Sequence, residues 1–482
     1  MTAKRPNILM IVSDDQGHWA MNTAGTAEIH TPNLDWLARQ GKRFESLYCV
    51  SPVCSPARAS LLTGRIPSAH GVHDWIRAGN ASIETEFHNR LIEYLDSHPT
   101  FVELLAEAGY ICGLSGKWHL GNTHQPHRGF SYWQAYASGG GSYQSPTMIR
   151  NGAVHHEDGY LTDIITRNAL TFLGAQRREA PWYLSVHYTA PHAPWEERQH
   201  KPSDFGHYYP DCPFSGLPTV PMHPDFYNPA NFPKDADARK RMLSGYCAAV
   251  TAMDRGIGEI LDALNHAGQL DDTLVIFTSD NGMNMGHHGI YGKGNGTYPQ
   301  NLFETSVKVP GIVMHRARIV PDILQGLYSH YDFMPTILSY AGIGERTPAG
   351  LPGRDLSKVL TSDAPEENSY VVVFDEYGPN RMIREGQWKY IHRYAEGQVE
   401  LYDLDDDPEE DRNLAGDAGL ADIIARLRER LRCWFEHYGT PEMDGSGLPV
   451  MGGGQIDKIG GEGVGGAIFV DHQDRLHGGM DR

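Results

Sequence analysis

The sequence predicts an α/β protein: a doubly wound, mostly parallel sheet, followed by a smaller C-terminal antiparallel sheet and a helix. Three observations carry that prediction. Residues 7–12 (Asn-Ile-Leu-Met-Ile-Val) and 273–278 (Thr-Leu-Val-Ile-Phe-Thr) are unbroken apolar runs of strand length, the pattern of strands covered on both faces. Between them, segments with helical periodicity alternate with further strand-like runs. From about residue 369 the pattern changes to short strand-like pieces separated by turns. At 482 residues and 40% apolar content, the chain can fill one large core and a smaller one. The divisions read from these shifts are a main domain over 1–365, a subdomain over 366–440 and a glycine-rich tail over 441–482.

In chain order, the first apolar run ends in Ser13-Asp14-Asp15. Ligands of open α/β sheets gather beyond the carboxyl ends of the strands, so this acidic pair is placed for a site, with a helix cap or turn as the alternative. Residues 51–65 follow, Ser-Pro-Val-Cys-Ser-Pro-Ala-Arg-Ala-Ser-Leu-Leu-Thr-Gly-Arg. Pro56 suits a first helical turn, Ala57 to Leu62 are good helix formers and Gly64 closes the segment, which puts Cys54 at a helix N-terminus. Free N–H groups and the positive end of the helix dipole favour an anionic group beside it. Arg58 falls one turn later on the same face and reaches the same anion. His73, Asp74, Trp75 and Arg77 come shortly after; an aromatic face with polar flanks suits a carbohydrate, the alternative being an ordinary exposed loop with a packed tryptophan.

Residues 99–109 show helical periodicity and a terminal glycine, and 110–114 read as a strand running into Gly116-Lys117-Trp118-His119. Two apart in extended chain, Lys117 and His119 point to one side. A helix over 159–176 precedes a strand over 182–188, in which His187 takes a structural reading. His192, between Pro191 and Pro194, is held in a stiff turn at that strand's end. Residues 200–235 read as a long surface loop of the substrate-shaping kind, and 240–267 as a helix whose apolar spacing is core packing. The second apolar run ends in Ser279-Asp280-Asn281-Gly282. Two strands that both deliver hard oxygen ligands at their ends are explained most simply by one metal between them. The glycine-rich, flexible segment 286–294 carries His288, a substrate-side candidate, and Lys293; Asp332 reads as a cap.

Strand-like pieces at 371–374, 381–383, 388–391 and 400–404 lead to an amphipathic helix over 420–437. The acidic run 403–410 reads as a solvated turn. The tail holds too few large apolar residues for a core of its own; it wraps over the domain or over a neighbouring subunit, which leaves room for a homo-oligomer. A formal charge of -19 excludes nucleic acid as a natural partner. No run reaches the length of a membrane span and no apolar leader with a cleavage site follows Met1, which points to the cytoplasm and no membrane partner. Six cysteines without paired spacing read as free thiols.

Cys54-x-Pro56-x-Arg58 followed by Thr63-Gly64-Arg65 resembles the signature of the type I sulfatases, the formylglycine-dependent branch of the alkaline phosphatase-like superfamily. Five separated motifs keep the family's order from Asn7 to about Leu414. The resemblance implies that Cys54 is oxidised to formylglycine by a formylglycine-generating enzyme, and that Asp14, Asp15, Asp280, Asn281 and modified Cys54 bind one calcium or magnesium ion. It further implies that Arg58 stabilises the hydrated aldehyde, Lys117 and Lys293 clamp sulfate oxygens, His192 with Lys293 protonates the leaving oxygen, and His119 removes the proton whose loss expels sulfate. The expected substrate is a small sulfate monoester, of a sulfated sugar if the 73–77 segment lines the site. Residues 296–301 depart from the family's Tyr-Glu-Gly-Gly-like run. The alternatives are a phosphonate or phosphate ester hydrolase with the same site, and a non-catalytic sulfate-ester-binding protein if Cys54 stays a thiol.

Overall fold

The apolar run at the start of the chain forms a strand, Asn7–Ser13, whose side chains alternate between two cores. Ile8, Met10 and Val12 face a cluster that includes Ala57, Leu61 and Leu62 of the helix Cys54–Thr63, Phe101 and Leu105 of Phe101–Glu107, and Met334 and Ile337 of Phe333–Tyr340. Leu9 and Ile11 face the opposite one, built with Leu161 and Ile165 of the helix Leu161–Ala175, Leu34 and Leu37 of Pro32–Gln40, and Met253, Ile257 and Ile260 of the 31-residue helix Ala236–His266. A strand buried on both faces has no room for polar alternation, which is why the run reads as continuous.

The computed structural model describes residues 5–81, 87, 90–176, 179–362 and 373–471. Its strands are β1 (Asn7–Ser13), β2 (Lys42–Tyr48), β3 (Ile111–Lys117), β4 (Phe130–Tyr136), β5 (Thr147–Arg150), β6 (Ala153–His156), β7 (Trp182–His187), β8 (Thr273–Ser279), β9 (Asn284–Met285), β10 (Tyr291–Gly292), β11 (Lys308–Val309), β12 (Gly311–Met314), β13 (Asp322–Ser329), β14 (Val373–Tyr377), β15 (Asn380–Glu385), β16 (Trp388–Arg393) and β17 (Gln398–Asp403). The central sheet runs β11-β2-β12-β8-β1-β7-β3-β4-β5-β6, with β13 also paired to β2. From β8 through β1, β7 and β3 to β4 every pairing is parallel, whereas β12 joins β8 and β2 in the antiparallel sense. The carboxyl ends of β8, β1, β7 and β3 therefore lie side by side, and everything that leaves them meets along one rim. Close approach of β3 to β7 depends on Gly116: with φ at 112°, a Cβ there would meet the His187 carbonyl oxygen at 2.0 Å.

The C-terminal sheet is a meander, β14-β15-β16-β17, antiparallel throughout. The helix Ala421–Tyr438 covers it with Ile424, Leu427, Leu431 and Phe435, spaced at near-helical intervals. Each such side chain contributes about 1.5–3 kcal/mol by leaving water. The expected start of this sheet at 371 and the division at 365/366 fall outside the described residues.

Three expectations are corrected. The acidic run 403–410 is not wholly solvated: Asp407 and Glu410 are buried, and the Glu410 carboxylate meets Lys389 Nζ at 2.6 Å and accepts the Glu304 N–H at 2.6 Å. The glycine-rich segment 286–294 is pinned, not loose. Its β9–β10 ribbon packs under the 200–235 loop, where Gly289 O accepts from His223 N and Gly296 O from Tyr227 N. The strand expected over 110–114 continues to Lys117.

Candidate active site

The helix Cys54–Thr63 starts at Cys54, caps with Gly64 in the left-handed region, and is buried along all ten residues. Its N-terminus points at the rim of the sheet. Cys54 Sγ lies 3.2 Å from Asp14 Oδ1 and 3.8 Å from Asp15 Oδ1, just beyond β1. From β8, Asp280 accepts Arg58 Nε at Oδ2 (2.9 Å) and the N–H groups of Asp15 (3.1 Å) and Asn281 (2.8 Å) at Oδ1. Asn281 Nδ2 donates to Asp15 Oδ1 at 2.9 Å.

These residues fit a hard divalent cation. One ligand atom from each of Asp14, Asp15, Cys54 and Asp280 lies within 4.8 Å of the others. Asn281 Oδ1, on the same turn, is buried with no hydrogen-bond partner. Four oxygen donors and one thiol, the latter an oxygen once residue 54 is oxidised, match calcium or magnesium better than zinc.

Three cations surround the acids. Lys117 Nζ is 2.6 Å from Asp14 Oδ2, and Lys293 Nζ is 2.5 Å from Asp15 Oδ1 and 2.8 Å from Cys54 Sγ. Arg58 spans Asp280 and, at 3.9 Å, Asp14. Burial raises the Asp14 carboxyl above the usual range even against Lys117. Burial acts on Asp15 and Asp280 too, but Lys293 with His192, and Arg58 with Lys117, outweigh it and hold both low. Burial, then Asp14, pushes the Cys54 thiol well up, so an unmodified cysteine here stays protonated and is a poor nucleophile.

The two histidines enter differently. His192, in its turn after β7, turns Nε2 toward Asp15 Oδ2 (3.7 Å), while Nδ1 bonds the Ala193 carbonyl (2.7 Å) and Tyr143 OH donates to the His192 carbonyl (2.7 Å). It is 25% exposed, and so faces the solvent side. Lys117 and His119 do not share an extended segment: His119 has φ of 55°, which turns the chain just after β3. Lys117 reaches Asp14, while His119 Nε2 bonds the Ile76 carbonyl at 2.9 Å. His119 Nδ1 is buried and unpartnered, and burial, then Lys117, hold the ring well below the ordinary histidine range.

The sugar-subsite candidates are not brought to this cluster. His73 and Asp74 are fully buried. His73 Nε2 bonds Met443 O; Asp74 accepts from Trp75 N, Tyr377 OH and Gly454 N. Trp75 Nε1 donates to Gly452 O and Arg77 to Gly453 O, so the segment is the seat of the C-terminal tail. His288 stacks on Phe303, centroids 3.8 Å apart. Sequence reasoning missed Ser138-Gly139-Gly140-Gly141-Ser142, whose backbone passes against both histidines: a Cβ on Gly139 would meet His119 Nε2 at 2.3 Å, and one on Gly140 would meet His192 Cε1 at 2.6 Å. The run of three glycines was the available signal. His187, read as structural, braces Arg58 and the Lys117 carbonyl through Nδ1 (3.4 and 3.2 Å).

Fold and charge arrangement together define a class, the alkaline phosphatase-like hydrolases, α/β proteins whose rim of strand ends takes a tetrahedral oxyanion ester. Comparison with known proteins narrows the ester. The sulfatase family model matches residues 6–343, and the model of the N-sulphoglucosamine sulphohydrolase C-terminal region matches 286–436. The chain belongs to the sulfatase family and is a sulfuric ester hydrolase. It is 32% identical to a choline-sulfatase of Rhizobium meliloti over 86% of this chain and 83% of that one. It is 28% identical to an N-acetylglucosamine-6-O-sulfatase of Bacteroides thetaiotaomicron over 92% and 88%. Among solved structures, one determined with its substrate D-glucosamine-2-N,6-O-disulfate superposes with a TM-score of 0.74 at 24% identity, covering 90% of this chain and 98% of that one. The phosphonate monoester hydrolase of Agrobacterium radiobacter superposes at 0.65 and 22%, covering 90% and 96%, a likeness of fold alone. No helix among the described residues is long and apolar enough to cross a membrane.

Proposed function

We propose that the chain hydrolyses the sulfate monoester of a small sulfated sugar, with residue 54 oxidised to formylglycine and one calcium or magnesium ion held by Asp14, Asp15, Asp280, Asn281 and residue 54. The observation that carries this reading is the convergence of three carboxylates and three cations on the protonated, buried Cys54 position. The hydrated aldehyde supplies a hydroxyl nucleophile, and the metal's charge favours its ionised form.

The chain's own groups do the rest. Lys117 and Lys293 sit where they can hold sulfate oxygens, offsetting the substrate's charge against the neighbouring carboxylates. Arg58, fixed by Asp280 and His187, keeps a positive charge beside residue 54. With Nδ1 committed to Ala193, His192 exchanges its proton at Nε2 and delivers it to the alcohol as the ester bond breaks. His119, its hydrogen on Nε2 toward Ile76, presents Nδ1 as a base kept neutral by its surroundings, and takes up the proton released when sulfate departs. Water enters once per turnover, so the alcohol leaves with its proton and the enzyme is restored.

The sugar assignment draws on the relative named for N-acetylglucosamine 6-sulfate, which matches 92% of the chain. The test is the mass of the residue-54 peptide from protein made with a formylglycine-generating enzyme, paired with turnover of an aryl sulfate before and after chelation. Turnover of N-acetylglucosamine 6-sulfate, choline sulfate and a phosphonate monoester is then compared. Aldehyde plus metal-dependent sulfate release supports the chemistry. A plain thiol without turnover overturns it, and preference for choline sulfate or the phosphonate overturns the sugar assignment alone.

A further inference from the structure

Residues 452–457 of the glycine-rich tail are buried, although that composition builds no core of its own. Gln455 contributes to this, beside the buried apolar side chains of Val450, Ile456, Phe469 and Val470. Its N–H donates to Trp75 O and its carbonyl accepts from Arg77 N, both at 2.8 Å, so it lies beside Ile76 as a parallel bridge. Its side chain is spent as well: Oε1 accepts from His73 N (2.9 Å), and Nε2 donates to Gly71 O (3.0 Å) and Asp457 O (2.9 Å). Gln455 bonds to the residues on either side of Ile76, whose own N–H and carbonyl turn toward the active site, the carbonyl also accepting from Asn80 Nδ2 (3.2 Å). Its N–H donates to Ser55 Oγ (2.9 Å), Ser55 Oγ donates to His119 O (2.9 Å), and His119 Nε2 donates to Ile76 O (2.9 Å). The result is a closed ring of three residues, with Gln455 clamped to its outer side.

A carbonyl only accepts, so this ring fixes the imidazole's hydrogen on Nε2 and its lone pair on Nδ1, and sets the ring's direction. Among the described residues its Nδ1 has no hydrogen-bond partner, and the backbone of Gly139 passes against Nε2. The groups whose charge faces it are Lys117, Arg58 and Lys293.

We propose that Gln455 is a positioning residue for the sulfatase reaction, holding Ile76 so that its carbonyl orients His119. The proposal rests on the reading of His119 as the base. Gln455→Ala removes all three side-chain bonds; Gln455→Glu keeps the acceptor for His73 N and turns the two donor contacts, to Gly71 O and Asp457 O, into contacts between a carboxylate oxygen and carbonyl oxygens. The expected result in both is a fall in kcat of about tenfold, with KM for an aryl sulfate within about twofold of wild type. His119 C2–H exchange, read by mass spectrometry on its peptide, becomes faster, while exchange at His187 is unchanged. The exchange measurement needs neither metal nor modified residue 54.

Unchanged His119 exchange in a folded Gln455→Glu protein overturns the proposal, as does a loss confined to KM or to the fraction of active enzyme. Should Gln455→Ala not fold, Gln455→Glu carries the test. Full turnover by His119→Ala overturns the base assignment instead, and a Gln455-dependent change in His119 exchange would then stand as structural coupling without catalytic consequence, which also overturns the proposal.

Discussion

Two of the buried charge clusters among the described residues do different work. One gathers at the carboxyl ends of β1 and β8; the other joins the central sheet to the small C-terminal sheet. In the second, Glu304 accepts from Tyr48 OH (2.6 Å), Arg384 (2.9 Å) and Lys389 Nζ (3.2 Å), and Lys389 also meets Glu410 (2.6 Å). Donors from three segments answer one acid from several sides, and the cluster is glue. In the first, ligand atoms from four residues converge within 4.8 Å of one another, and Asn281 Oδ1 and one Arg58 nitrogen are left bare. Burial of charge alone does not mark a site, since Asp375 in the second cluster also keeps bare oxygens; convergence of ligand atoms from several residues on one point does.

The comparison breaks if catalysis and stability do not separate between the clusters. The largest effect is expected for Cys54→Ala, which should lower kcat about ten-thousandfold or more while the melting temperature stays near wild type. A residual rate within tenfold of wild type would end the proposed chemistry.

Next come the two histidines, where Asn substitutions should each cost about 10²–10⁴ in kcat. They are distinguished by leaving group: His192→Asn should lose less on an aryl sulfate than on an alkyl one, because a phenolate needs no proton to depart, whereas His119→Asn should lose the same on both. Equal sensitivity would remove His192 from the acid's role.

At the glue cluster, Glu304→Gln should destabilise by about 3–5 kcal/mol by leaving Lys389 and Arg384 short of an anion. Denaturant titration checks this, and KM and kcat of the folded fraction should stay near wild type.

The smallest effect sharpens the contrast through pH. Burial pushes Glu410 up to about 7, with Lys389 opposing and Glu304 adding. The folded state thus holds its proton more tightly than the unfolded chain does. The resulting stability is full below the ordinary value of 4.5 and is lost as pH rises through about 7. Glu410→Gln should therefore flatten the melting temperature between about pH 5 and 8; an unaltered slope would show that another group titrates there.

Much of the first cluster could be read from the sequence because each part is local. An apolar run followed by Asp14-Asp15 or Asp280-Asn281 announces a buried strand and what it carries at its end, and Cys54 follows from Pro56 and Gly64. His119 was assigned its role but not its geometry, since one residue with φ of 55° undoes the two-residue alternation of an extended chain. The side-chain partners of the 73–77 segment are not legible in the sequence for a different reason. Its polar groups are consumed by residues 443–455 and by Tyr377, contacts made largely through backbone atoms of a glycine-rich stretch that no side-chain pattern signals. Glu410 is hidden the same way, buried with Asp407 inside a run whose other acids are exposed or half-buried.

Cys54 is 2% exposed in the finished fold, and the lysine that closes over it lies 239 residues further along the chain. Translation is vectorial, so at about 5–20 residues per second the stretch from Cys54 to Lys293 takes about 10–50 s to emerge. Throughout that interval Cys54 belongs to a nascent chain that lacks Lys293, and it is more accessible there than in the finished fold. For the maturation proposed above, the depth of the site sets a deadline, and ribosome-bound chains halted before and after Lys293 should differ sharply in how readily Cys54 is converted.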